Sequence, residues 1–154
     1  MAAPRSPRVG VRAAIVREGQ ILLNEYTDGV FDLPGGGQEH GETQHDAVMR
    51  EVLEETGLTV RVHTLAFVFE AIANRAARTG RPIDTFHQVN LVFWAEVDPR
   101  TEAVEPTGMD GSQVGTRWVP IDHLDRYDVR PAEVAAWLMS DPSTRLPGLG
   151  TIRA

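Results

Sequence analysis

The stretch REVLEETG, Arg50 to Gly57, sets Glu51, Glu54 and Glu55 three and four residues apart. On a helix such positions share one side, where like charges repel by roughly 0.2–0.5 kcal/mol per pair. Arg50 is the single cation beside them. At 100° per residue the three acids fill one sector roughly 100° wide. Val48, Met49, Val52 and Leu53 form an apolar stripe next to it. A solvated helix face with clustered charges is one explanation. A hard divalent cation is the other, because carboxylate oxygens suit Mg²⁺ or Mn²⁺, and such ions also bind substrate phosphates. The glycine-rich stretch PGGGQEHGE, which reads as a loop leading into this helix, favours the cation.

The elements that must position these acids follow from period and punctuation. Residues 1–7 hold two prolines and no periodicity, and read as a loose tail before a single domain over 8–154. Val9–Val16 and Ile21–Tyr26 read as a hairpin turned by REGQ, and a short VFDL follows. Thr43 is a suitable N-cap, with Asp46 three residues on imitating a capping box. Gly57 stands where a left-handed C-cap belongs. LTVRVHTLAFVFEAIA and FHQVNLVFWAEV read as strands, the second mostly β-branched or aromatic. Between them NRAARTGRPIDT is a polar loop. A long connection, the short strand TRWVPI, a helical turn at DHLDRY and a last helix in RPAEVAAWLMS follow, with Pro131 suited to that helix's first turn. Hairpins mixed with helices predict a mixed sheet covered by helices.

Net charge is −7, which argues against nonspecific nucleic-acid binding. There is no cysteine, so disulfides, thiolate zinc sites and a cysteine nucleophile are excluded. All fifteen basic residues are arginine, which excludes lysine chemistry. No run has signal-peptide character or approaches the roughly 20 apolar residues of a membrane span, so a cytoplasmic location is the expectation.

From Gly36, five residues lead to Glu42 and seven more to Arg50, then Glu51, Val52, Leu53, Glu54, Glu55, Thr56, Gly57 and Leu58. This resembles the signature of the Nudix hydrolases at every fixed position. The LPGGG stretch, the hairpin before it and WVPIDHL resemble the family more loosely. The resemblance implies an α/β/α sandwich with a mixed β-sheet. It also implies a pyrophosphohydrolase that uses Mg²⁺ (or Mn²⁺) to cleave a nucleoside diphosphate linked to another moiety. Glu51, Glu54 and Glu55 would be metal ligands, joined by the Gly36 carbonyl. Glu54 would double as the base, Arg50 would hold a glutamate in place, and Glu42 would lie near the metal. The chemistry agrees: a metal neutralises the anion and activates water, and a carboxylate takes the proton.

Glu42 is also a candidate substrate contact; outside the motif, so are His87, Asp110 and Gln113, each with an ordinary structural role as its alternative. The isomerase branch of the family relies on a cysteine, absent here, and markers for ADP-ribose or dinucleoside-polyphosphate hydrolases are missing from AIANRAART. The competing function is a regulatory nucleotide-sensing domain that has lost turnover; the intact motif acids favour the enzyme. The apolar FHQVNLVFWAEV strand, together with the family's habit of dimerising, suggests a homodimer.

Overall fold

The computed structural model describes residues 5–76, 80, 84–109 and 111–154. Asp110 and part of the expected loop at 74–85 lie outside the described residues. The strands are β1 (Arg8–Arg17), β2 (Gln20–Tyr26), β3 (Val30–Asp32), β4 (Gly35–Gly37), β5 (Val60–Asn74), β6 (Thr85–Val97), β7 (Gln113–Pro120), β8 (Asp128–Val129) and β9 (Gly148–Arg153). The helices are α1 (Gln44–Thr56) and α2 (Ala132–Met139), with 3₁₀ turns at Ile121–Arg126 and Pro142–Thr144.

The sheet runs β8-β3-β2-β1-β6-β5-β9, with β4 on β1 and β7 on β2. The pairs β1–β6, β3–β8 and β5–β9 are parallel and the rest antiparallel, so the sheet is mixed. Alternation along each strand builds two cores. Val11, Ala13, Ile15, Leu22, Phe93 and Ala95 face α1 with Ala47, Val48 and Val52. Ala14, Ile21, Leu23 and Val92 face α2 with Val134, Ala135 and Leu138. Strand β6 lies between β1 and β5 and feeds both cores. Its apolar character, which suggested a dimer, is therefore explained within one chain.

The β1–β2 hairpin pairs only near its turn, at Val16–Ile21 and Arg17–Gln20. Farther on, β4 pairs with β1 at Gly10–Arg12 and β3 pairs with β2 at Asn24 and Glu25, while β6 and β7 run along β1 and β2 respectively. The two strands part there, and the parting creates room for polar side chains.

Helix α1 keeps the expected caps. Thr43 Oγ1 accepts from Asp46 N at 3.1 Å, and Gly57, at φ 73°, donates its N–H to Leu53 O at 2.9 Å. The long connection returns to close this helix end: Val104 N donates to Gly57 O, and Thr107 N and Gly108 N donate to Glu54 O.

Four readings need correction. The glycine run is not all loop, because Gly35–Gly37 pairs with Gly10–Arg12 as β4. Strand β7 begins at Gln113, ahead of TRWVPI. Pro131 is the N-cap of α2 and lies outside its first turn. Strands β8 and β9 were not expected.

Candidate active site

Arg50 is the hub of the acid cluster. Its Nη2 donates to Glu42 Oε1 at 2.7 Å and its Nε to Glu42 Oε2 at 3.1 Å, a two-point grip. Its Nη1 reaches Glu51 Oε1 at 2.9 Å and Glu54 Oε2 at 3.4 Å, and Nη2 also meets the Gly37 carbonyl at 3.1 Å. The bonds to Glu42, and then to Glu51, hold the guanidinium even more firmly protonated than usual. In return Arg50 draws the Glu42 carboxyl below its ordinary range, helped by the Glu39 N–H.

Gly36 lies against Glu51. A Cβ at Gly36 would come within 2.6 Å of the Glu51 carboxylate, so only glycine lets strand β4 and that side chain approach so closely. Gly108 from the long connection lies against Glu54: its Cβ would stand 3.0 Å from the Glu54 Cβ.

Glu55 departs from the helical-wheel picture. It is 8% exposed and turns into the place where β1 and β2 part. Its Oε2 accepts from Gly35 N at 2.9 Å and from Asn24 Nδ2 at 3.3 Å. Burial pushes its carboxyl up to about 7, against the opposing pull of the Gly35 bond and the Arg12 charge. Gln113, expected as a substrate contact, is buried behind it. Its Nε2 donates to Asn24 Oδ1 at 3.2 Å and to the Glu55 carbonyl at 3.1 Å. Sequence reasoning missed Asn24 because nothing local marks it.

His87 stands apart from the acids, on β6, bonded to Glu70 Oε2 at 2.8 Å, while Thr151 holds the other Glu70 oxygen at 2.7 Å. These bonds, His87's foremost, lower the Glu70 carboxyl.

Among the described residues, no three acidic or imidazole side chains converge closely enough to hold a metal ion. Glu51 and Glu54 lean on Arg50 instead. The donor chemistry still suits a hard divalent cation: carboxylates beside a glycine backbone, with no cysteine thiolate in the chain. A cation would have to draw Glu51 or Glu54 from Arg50.

A cavity of about 640 Å³ is lined in part by Asp32 and Leu33, at the end of β3. Phe69, Phe86 and Ile152 supply apolar walls, and Arg12, Asp32 and Asn90 supply polar ones. The Arg75 guanidinium lies 3.9 Å over the Phe86 ring. Arg12 is fixed by the Leu33 carbonyl at 2.8 Å and Asn90 Oδ1 at 3.4 Å. Tyr26 donates to Asp32 from across the neighbouring strand; its phenol is pushed up, by burial first and by Asp32 next.

The profile of the NUDIX domain matches residues 6–138. An "ADP-ribose pyrophosphatase" of Methanocaldococcus jannaschii is 44% identical over 95 residues, covering 59% of this chain and 52% of that protein. A "NAD-capped RNA hydrolase NudC" of Shigella dysenteriae is 30% identical over 131 residues, covering 83% of this chain and 44% of that protein. This chain thus spans about half the length of these curated relatives. Among solved structures, a MutT NUDIX hydrolase from Burkholderia pseudomallei has 31% identity and a TM-score of 0.65, covering 88% of this chain and all of that one (100%). A NUDIX hydrolase from Nitrosomonas europaea shares the fold at a TM-score of 0.68 and 23% identity, over 92% of this chain and 93% of the other. The profile takes in the hairpin, the glycine strand and the acid-bearing helix alike, and by that match this chain belongs to the NUDIX family.

Proposed function

We propose that this chain is a metal-dependent pyrophosphohydrolase that cleaves a nucleoside diphosphate linked to another moiety. The observation that carries the reading is the acid cluster around Arg50, pressed against Gly36 of β4. Glu51, Glu54 and Glu55 with the Gly36 carbonyl would hold Mg²⁺ or Mn²⁺. Such an ion neutralises phosphate charge and lowers the pKa of a bound water. Glu54, the most exposed of the three carboxylates, acts as the base that takes the proton from water. Arg50, gripped by Glu42, aligns Glu51. The aromatic-walled cavity beyond Leu33 receives the organic part of the substrate.

The relatives named for ADP-ribose and for NAD-capped RNA both act on diphosphates that join two moieties, which supports the same bond class here. The balance of −7 makes a small molecule a better substrate than an RNA end. The test is product release from nucleoside triphosphates, ADP-ribose, dinucleotides, nucleotide sugars and NAD-capped RNA, with Mg²⁺, with Mn²⁺ and in chelator. Metal-dependent turnover of at least one diphosphate is the expected result. Nucleotide binding with no turnover under any metal would leave the sensing domain as the function.

A further inference from the structure

We propose that Asn24 and Gln113 are positioning residues that set which oxygen of Glu55 is left to a ligand. This rests on the metal-site reading above. The observations are a directional chain of buried amides. Asn24 is 1% exposed and Gln113 7%. Gln113 Nε2 faces three acceptors: Asn24 Oδ1 at 3.2 Å, Glu55 O at 3.1 Å and Gly115 O at 3.3 Å. Turning that amide over would set its oxygen against three other oxygens, so its orientation is fixed. With Asn24 Oδ1 occupied by Gln113, only Asn24 Nδ2 is available to Glu55, and it donates to Oε2. Gly35 N donates to the same Oε2. Both donors therefore grip one oxygen of the carboxylate and leave Oε1 to accept from elsewhere.

The arrangement has a visible cost. Among the described residues Gln113 Oε1 is buried with no hydrogen-bond partner, while the Nε2 of the same amide faces three acceptors. A buried unpaired carbonyl is unfavourable. A leucine or methionine would fill the space without it. What the amide supplies is the direction of the Asn24 bond, and through that the pose of Glu55. Groups behind a metal ligand commonly act this way, and their loss costs about 10–100-fold in affinity or activity.

The experiment measures Mn²⁺ affinity by electron paramagnetic resonance, together with kcat, KM and Tm, for Asn24→Leu, Gln113→Met and the double variant. Asn24→Leu is expected to weaken Mn²⁺ binding about ten-fold or more and to lower kcat, with KM for the nucleotide little changed. Gln113→Met should do the same to a smaller degree. Its effect should vanish in the Asn24→Leu background, because it acts through Asn24. Additive losses in the double variant, or unchanged Mn²⁺ affinity in folded Asn24→Leu, would overturn the proposal while leaving the hydrolase reading standing. If the parent protein binds no Mn²⁺ and turns over no diphosphate, both fall. Should Asn24→Leu not fold, Asn24→Ser gives the same comparison.

Discussion

Glu42, Glu51 and Glu54 share Arg50 while Glu55 is held by Asn24 and Gly35, and these differences in surroundings make separate predictions. Gly36→Ala places a methyl inside the space of the Glu51 carboxylate. It should leave helix content intact yet cut Mn²⁺ affinity and turnover by about ten-fold or more; unchanged kinetics would show that Glu51 is free to move. Glu54→Gln removes a like charge next to Glu51 but also the charge of one of the carboxylates bonded to Arg50, the one at 3.4 Å. Metal-free stability should then change by no more than a few tenths of a kcal/mol, while turnover falls by ~10²–10⁴ if Glu54 is the base. Glu55 behaves differently because it is buried. Its carboxyl is raised from 4.5 to about 7, so the folded chain holds that proton more tightly than the unfolded one. Above pH 7 the ionised form costs stability; the cost fades as pH falls through 7 and is gone below about 4.5. In chelator, Glu55→Gln should therefore be more stable than the parent at pH 8 by on the order of 3 kcal/mol, and the gap should close toward pH 5. A gap that ignores pH in thermal unfolding would refute this. The helical wheel could not separate Glu55 from its neighbours. Its pose depends on Asn24, 31 residues away, and on Gln113, which is 89 residues from Asn24.

What was legible at the scale of elements was what local chemistry decides. Helix α1 has its cap at Thr43 and its stop at Gly57 because hydroxyl capping and a left-handed residue act over four residues or fewer. Strands β4, β8 and β9 were illegible for the opposite reason. Gly35–Gly37 has no side chains to show a period, β8 is two residues long, and β9 (GLGTIR) owes its strand form to β5, far back in the chain. The parting of β1 from β2 likewise depends on which strands claim each one, and a hairpin pattern does not reveal that. Two substitutions test the ends of α1. Thr43→Ala should lower stability by about 1 kcal/mol. Gly57→Ala should cost more, roughly 2 kcal/mol or above, because a Cβ at φ 73° is strained and would fall 1.8 Å from the Val104 carbonyl. Equal costs in denaturant unfolding would mean that the connection simply shifts aside.

For the molecule as a whole, a cation that binds only the folded chain should raise its unfolding temperature. At a hundred times its dissociation constant the gain is about 2.7 kcal/mol, and a scan with Mn²⁺ against chelator reads it directly. No such rise in the parent would remove the metal site. The segment 104–108 links this site to the rest of the molecule. It has no strand or helix of its own, yet its amides at Val104, Thr107 and Gly108 are spent on the carbonyls of Glu54 and Gly57. Its protons should accordingly trade with deuterated solvent at the pace of the helix end, more slowly than a surface loop normally allows. A cation that restrains Glu54 should slow the same three amides further, so an isotope-exchange time course could report ligand arrival without any substrate being cleaved.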